Sequence, residues 1–317
     1  MFGGFAREND LREHILELIR IDTHLSQKKV AKEAGCNEGA LNQWLHAKPP
    51  YETHPPTAEK VSRWLEARER RREANSALPP TPAYVPTPSA EKIMAVLTYA
   101  QMAADLAVIY GGAGVGKTRT INHYRENSPN VWVATMSPDC ANLSPMLEEI
   151  AEAFGLRSDG GSVASSRIRR AMCRKMRGTG GLLIVDEAQH LGNSGIEEIR
   201  SIHDATEIGV VLAGNESVYS RLTGGTRAAH FAQVFSRIGK KLRLNRPAKG
   251  DVLALADALN VTGHIERELL LDISQKPGAL RGVVKTVRLG AMFAAGDGVT
   301  VSEEHIRAAW KELGGGE

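Results

Sequence analysis

The sequence predicts an α/β core on a mainly parallel sheet, with a small all-α unit before it and a helical unit after it. Three observations predict this. Short apolar runs alternate with helical stretches through the middle of the chain, prolines crowd into residues 78–90, and both ends carry helical periodicity without strand signals. Strands buried on both faces read as continuous apolar runs, and their alternation with helices implies parallel pairing.

Residues 1–77 read as a helix-turn-helix unit. In "DLREHILELIRI", Leu11, Ile15, Leu18 and Ile19 recur at helical spacing. Ser26 is placed to cap a helix running to Ala34, and Gly35 can take the positive φ of a sharp turn. Asn37 can cap a second helix carrying Leu41, Trp44 and Leu45, and "TAEKVSRWLEARERRRE" supplies a last helix with a basic end. Such a unit would offer Glu38, Asn42 and Gln43 to base edges, with Lys28, Lys29, Lys48 and the "RERRR" run near phosphates. Helix-turn-helix units also dock proteins, and both roles stay open here.

The segment 78–90, "LPPTPAYVPTPSA", has five prolines and is expected as a semi-extended spacer. Residues 91–245 follow as the α/β unit, with strands at "LAVIYG", "VWVATM", "GLLIVDEA" and "GVVLAGN". Beyond Asn245 the strand signals stop. Residues 246–317 read as a helical lid, with Thr300 and Glu303 placed to form a capping box for the last helix.

Residues 111–118, "GGAGVGKT", fit G-x-x-x-x-G-K-[ST] between an expected strand and an expected helix. Gly111, Gly112, Ala113, Gly114, Val115 and Gly116 would turn backbone N–H groups toward phosphate oxygens, and the helix start adds partial positive charge. Lys117 would bring a point charge to the β- and γ-phosphates, and Thr118 a hydroxyl to Mg²⁺, with Arg119 completing the stretch. ATP and Mg²⁺ are the expected ligands. The strand "GLLIVDEA" ends in a carboxylate pair: Asp186 would hold the metal and Glu187 would orient and deprotonate the attacking water. Asn215, ending the next strand, would hydrogen-bond that water near the γ-phosphate.

Composition narrows the setting. Net charge is +3 and three cysteines show no close pair, which argues against a disulfide framework or a CxxC zinc site. No apolar run nears the ~20 residues of a membrane span, and "MFGGFAREND" lacks the pattern of a signal peptide, so a cytoplasmic protein with no membrane partner is expected.

The phosphate loop, the Asp-Glu strand, the strand ending in Asn and the helical lid together resemble the AAA+ ATPases. The strings "GLLIVDEAQHLG", "IGVVLAGNESVYSRLTGG", "FAQVFSRIGK" and "QKPGALR" are more closely similar to the B transposition proteins of Mu-like phages, and the resemblance covers nearly the whole chain. It implies an ATPase that binds duplex DNA with little sequence preference, assembles on it as a filament or ring, delivers it to a transposase, and is released by hydrolysis, in a bacterial host cytoplasm. It also implies that Arg237 reaches a neighbour's γ-phosphate, with Arg221 and Arg227 as rivals, and that Arg281 senses nucleotide from the lid. A helicase-loading ATPase and an ATP-switched transcription regulator are the alternatives.

The stretch "SSRIRRAMCRKMRG" carries Arg167, Arg169, Arg170, Arg174, Lys175 and Arg177 within about three helical turns. It reads as a DNA-backbone grip or as a solvated helix face.

Overall fold

The computed structural model describes residues 8–22, 25–46, 55–77, 81–82, 84–156, 165–223 and 236–315. Two compact units are formed, Met1–Pro79 and Pro80–Glu317.

The first contains α1 (Glu8–Ile21), α2 (Gln27–Ala34), α3 (Glu38–Leu45) and α4 (Pro55–Ala77). Ser26 Oγ accepts the Lys29 N–H at 3.2 Å and Asn37 Oδ1 the Gly39 N–H at 2.8 Å, while Gly35 turns the chain between them at φ 68°. Helix α4 starts two residues before its expected Thr57, because proline is tolerated in a first helical turn. Leu11, Ile15, Val30, Leu41, Trp44, Val61 and Leu65 close the core. Trp44 is fully buried, yet its indole N–H donates to Glu8 at 2.6 Å, so burial leaves no orphan donor there.

In the second unit α5 (Pro88–Ala103) leads into β1 (Leu106–Gly111), α6 (Lys117–Asn127), β2 (Val131–Thr135), α7 (Leu143–Ala153), α8 (Ser165–Met176), β3 (Leu182–Asp186), α9 (Asn193–Thr206), β4 (Gly209–Gly214), α10 (Glu216–Thr223) and β5 (Ile238–Leu244). The sheet order is β2-β3-β4-β1-β5, with every pair parallel. Helices α5 and α6 pack on one face, and α7 to α10 on the other. Parallel sheets are buried on both faces, which is why β1, β3 and β4 are buried throughout and apolar up to Asp186 at the end of β3. The register pairs Thr135 with Asp186, Val185 with Leu212, and Tyr110 with Gly214, so the strands end together at one edge.

Three local expectations change. Strand β5 is not among the four strands expected from sequence; it runs along the sheet edge with Gly239, Lys241 and Arg243 outward and Leu244 buried. Helix α5 begins at Pro88, inside the expected spacer, with Thr87 as its cap. The last helix is capped by Ser302, whose N–H donates to His305 Nδ1 at 3.2 Å, and not by Thr300; Glu303 instead binds Arg307 at 2.6 Å.

The lid is α11 (Lys249–Ala258), α12 (His264–Ser274), α13 (Ala279–Asp297) and α14 (Glu303–Glu312) around Val252, Leu270, Ile273, Val283 and Ile306. Asp251, fully buried, ties it to the core. Its carboxylate accepts from Ser89 N–H (2.8 Å), Ser89 Oγ (2.6 Å) and Ala248 N–H (2.7 Å), which compensates the burial of charge. No helix among the described residues is long and apolar enough to cross a membrane.

Candidate functional site

The loop 111–116 leaves the end of β1 and opens α6 at Gly116. Two of its glycines are dictated by their surroundings. A Cβ on Gly111 (φ 135°) would lie 2.1 Å from the Leu244 carbonyl oxygen, and one on Gly114 (φ 78°) 2.2 Å from that of Gly278. Only glycine combines that backbone with that approach. The loop is thus wedged between the end of β5 and the start of α13, where Leu280 N–H donates to Gly114 O at 3.1 Å. Val115 is buried against the α5–α6 side of the sheet, while Ala113 is exposed. Arg119 points to the chain before α5 and donates to Pro82 O at 3.1 Å.

Lys117 Nζ donates to the carbonyls of Gly111 (3.1 Å) and Gly112 (2.7 Å), which anchors its charge over the loop. Burial lowers its pKa, against the opposing pull of Asp186, Glu187 and Glu216. Thr118 Oγ1 donates to Asp186 Oδ2 at 2.7 Å across the loop–strand gap. Burial raises the Asp186 pKa; the bonds from Thr118 and from the Glu187 N–H work the other way. A hydroxyl and one carboxylate beside a phosphate loop form the donor set that suits Mg²⁺, which keeps waters and takes substrate phosphate oxygens for the rest.

The raised Asp186 value has a consequence for stability. A carboxyl whose folded pKa exceeds its unfolded value stabilises the fold at low pH, and that contribution is lost as pH rises through the folded value. Above the folded value the buried anion is therefore a cost that a bound cation removes. Asp186→Asn is expected to raise the melting temperature of the nucleotide-free protein at neutral pH, by ~2–4 °C per kcal/mol relieved in a domain of this size. The gain should shrink toward acid pH, and the further rise caused by Mg-ATP should disappear. Calorimetry across pH with and without Mg-ATP checks both.

Glu187 follows Asp186 in the left-handed region, φ 53°, a conformation a non-glycine residue holds at a cost that functional sites commonly bear. Its carboxylate accepts a hydrogen bond from Gln189 Nε2, and the same amide's Oε1 accepts the Asn215 N–H at 3.3 Å. Gln189, two residues past the Asp-Glu pair in "DEAQ", was not singled out from sequence, although an amide so close to two expected site residues was the available signal. Asn215 directly follows β4 beside the site, but its Oδ1 caps α10, accepting from Ser217 N–H (2.9 Å) and Oγ (2.6 Å). Any contact to water would fall to its amide nitrogen.

Of the three arginines expected as trans-acting, Arg221 donates to Gln189 O (2.9 Å) and Leu191 O (2.8 Å), clamping the turn after Glu187 from within the chain. Arg237, just before β5, pairs with Asp204 at 2.8 Å. Arg227 lies outside the described residues. Arg281 is exposed on the first turn of α13, one residue from the Leu280–Gly114 contact, in a cleft shared with Lys276, Lys285 and Trp310.

The basic residues divide. Arg169 is bound to Glu198 (2.5 Å) and Ser201 (2.7 Å), Lys175 caps Phe154 O, and Arg177 donates to Ala205 O at 2.9 Å. These three fasten α8 to its neighbours. Arg167, Arg170 and Arg174 instead line a cleft of about 1070 Å³, facing Glu148, Glu149 and Glu152 of α7. In the first unit Lys28, Lys29, Glu38, Asn42 and Gln43 are all exposed, and Arg68 of the "RERRR" run pairs with Asp22 at 2.7 Å. Lys48 lies outside the described residues.

A phosphate loop on a central parallel strand, an Asp-Glu pair ending the strand two places away and a helical lid docked on the loop define an ATPase of the AAA class. Residues 100–222 match the family described as AAA domain. Residues 236–313 match that described as Mu B transposition protein, C terminal. The chain is 38% identical over 305 residues to the ATP-dependent target DNA activator B of Escherichia phage Mu, covering 96% of this chain and 95% of that one. It is 36% identical over 282 residues to the Mu-like prophage FluMu DNA transposition protein B of Haemophilus influenzae (88% and 94%). The chain belongs to this family of Mu B transposition proteins. The Aeropyrum pernix ORC1 protein, solved in complex with DNA, shares the fold at a TM-score of 0.56 and 15% identity, over 75% of this chain and 68% of that one.

Proposed function

We propose that this protein is an ATP-dependent activator of target DNA in transposition: with ATP and Mg²⁺ bound it assembles on duplex DNA with little sequence preference, presents that DNA to a transposase, and lets go after hydrolysis. The observation that carries this reading is the end-to-end similarity to the phage Mu activator, which spans the helix-turn-helix, the ATPase core and the lid together.

Each part of the site takes a role. The loop 111–116 and Lys117 hold the triphosphate. Thr118 and Asp186 would hold Mg²⁺, which when bound screens phosphate charge. Glu187 accepts a proton from the attacking water, and the Asn215 amide nitrogen orients that water. Arg281 senses the nucleotide from the lid. Arg237 reaches the γ-phosphate of a neighbouring subunit: its exposed pair with Asp204 is worth ~0–1 kcal/mol, little enough to exchange for a triphosphate. A head-to-tail contact of that kind generates a ring or an open helix, and ATP shared between subunits favours the assembly by mass action.

Arg167, Arg170 and Arg174 are the cations of α8 that meet phosphates, Arg170 after giving up the exposed bond from its Nε to Ser166 O at 3.2 Å, whereas Arg169 and Lys175 act by holding the helix in place. The carboxylates of α7 facing them keep the net attraction moderate, which suits a protein that must also release DNA. The helix-turn-helix, through Lys28, Asn42 and Gln43, adds a second DNA contact.

A salt titration tests the reading. Arg167→Glu/Arg170→Glu/Arg174→Glu should lower the slope of log K against log salt by about two to three, at ~0.9 per lost phosphate contact. Sedimentation with random duplex should show large assemblies only when ATP is present. An unchanged slope removes α8 from the interface, and ATP-independent binding by single subunits removes the proposal.

A further inference from the structure

The Gln189 side chain bridges two parts of the site that the sequence treats separately. Its turn, Ala188–His190, follows β3, while Asn215 comes directly after the neighbouring strand β4. The orientation of the amide is settled by chemistry. A backbone N–H can only donate, so the Asn215 N–H must face Oε1, which leaves the NH₂ group for the Glu187 carboxylate. Gly214 makes the approach possible: a Cβ there would lie 2.4 Å from Gln189 Oε1. Arg221 holds the same turn from behind through Gln189 O and Leu191 O.

We infer that Gln189 is a positioning residue for ATP hydrolysis: its amide ties the Glu187 carboxylate to the tip of β4, so that the proton acceptor and Asn215 stand in one fixed arrangement. Glu187 sits on a left-handed backbone at the start of a short turn, where its side chain makes no capping hydrogen bond. One of its carboxylate oxygens is held by Gln189, leaving the other for water. General-base catalysis depends on that restraint, because a displacement of about 1 Å can cost ~100-fold in rate. The link also has a direction. Movement of β4 or α10 reaches Glu187 through the amide, so contacts made at α10 can alter turnover without touching nucleotide.

The inference rests on the assignment of Glu187 as base, and the test separates the two. In the full-length protein with DNA and Mg-ATP, Gln189→Ala and Gln189→Glu should each lower kcat by tenfold or more. KM for ATP and the affinity for a fluorescent ATP analogue should stay within twofold. Gln189→Glu is the decisive variant. It keeps the size of the side chain and the acceptor for the Asn215 N–H but sets a second carboxylate where the donor to Glu187 stood, so a loss of kcat that the uncharged Gln189→Ala shares reports the lost tie and not that repulsion. Normal or raised kcat in Gln189→Glu overturns the inference, as does a loss confined to KM. Glu187→Gln is measured alongside. If it turns over normally the base assignment itself has failed; if it is inactive while Gln189→Glu is normal, only the role of Gln189 has failed.

Discussion

Lys117→Ala should remove ATP-induced assembly on DNA while leaving the fold intact. The ammonium is held above the loop by the carbonyls of Gly111 and Gly112, at the start of α6, where donors and helix dipole converge on one point. Alanine keeps the helix but removes the only full charge contributed by the loop's own motif. Losing one preorganised donor of this kind costs about 10²–10³-fold in turnover. Binding is affected as well, because burial makes the ammonium less favourable than in water and a triphosphate offsets that cost. The sign of the stability effect follows. A lysine whose folded pKa lies below its unfolded value is a liability while protonated, so at neutral pH its removal should leave the melting temperature of the nucleotide-free protein unchanged or higher. Wild-type protein with ATP at about 100 times its dissociation constant gains ~2.7 kcal/mol from linkage; the variant should gain nothing. Thermal melts with and without Mg-ATP, beside sedimentation on random duplex, read both effects. Assembly that persists without a thermal response to ATP would mean that DNA alone drives polymerisation.

The sequence made some of this legible and hid the rest for physical reasons. The phosphate loop is readable because its glycines answer to local constraints: positive φ at Gly111 and Gly114, and close backbone neighbours. The strands β1, β3 and β4 are readable because a central parallel strand must be apolar on both faces. Strand β5 is an edge. One side of it faces solvent and carries Lys241 and Arg243, which blunt an exposed ladder, and the signal that remains is the weaker alternation ending in Leu242 and Leu244. Pro88 looked like part of a spacer because proline is a breaker everywhere except in a first helical turn.

The site shows the same division. Lys117, Thr118 and Asp186 follow from a motif whose spacing is set by covalent geometry, and Thr118 meets Asp186 although 68 positions separate them. Gln189, by contrast, matters through a contact with the backbone of Asn215 on another strand, and no spacing rule announces that. The five cations of α8 and Arg177 just after it were equivalent on paper. Their fates depend on what α7 and α9 place opposite them: Glu198 and Ser201 take Arg169, and the end of α7 takes Lys175. A count of charges cannot tell a helix fastener from a phosphate contact; the partner across the gap decides.

Glu187→Gln is expected to separate binding from release. The amide has the size of the carboxylate and the same left-handed backbone to satisfy, and it keeps an oxygen for the Gln189 donor, so the architecture of the turn is preserved. What disappears is the ability to take a proton from water, a contribution typically worth 10²–10⁴-fold. Lys117, Thr118 and Asp186 are untouched, so nucleotide and metal still bind and subunits still share the triphosphate. Hydrolysis measured in a single turnover should therefore fall by about that factor, while the protein remains on DNA far longer after a chase with competitor duplex. The ratio of the two effects is the informative quantity. If the lifetime on DNA lengthens in step with the loss of hydrolysis, removal of the γ-phosphate is what loosens the assembly. If hydrolysis falls and the lifetime does not move, release is set by exchange of subunits at the ends and the nucleotide acts only in assembly. Hydrolysis at the normal rate would show that another group receives the proton.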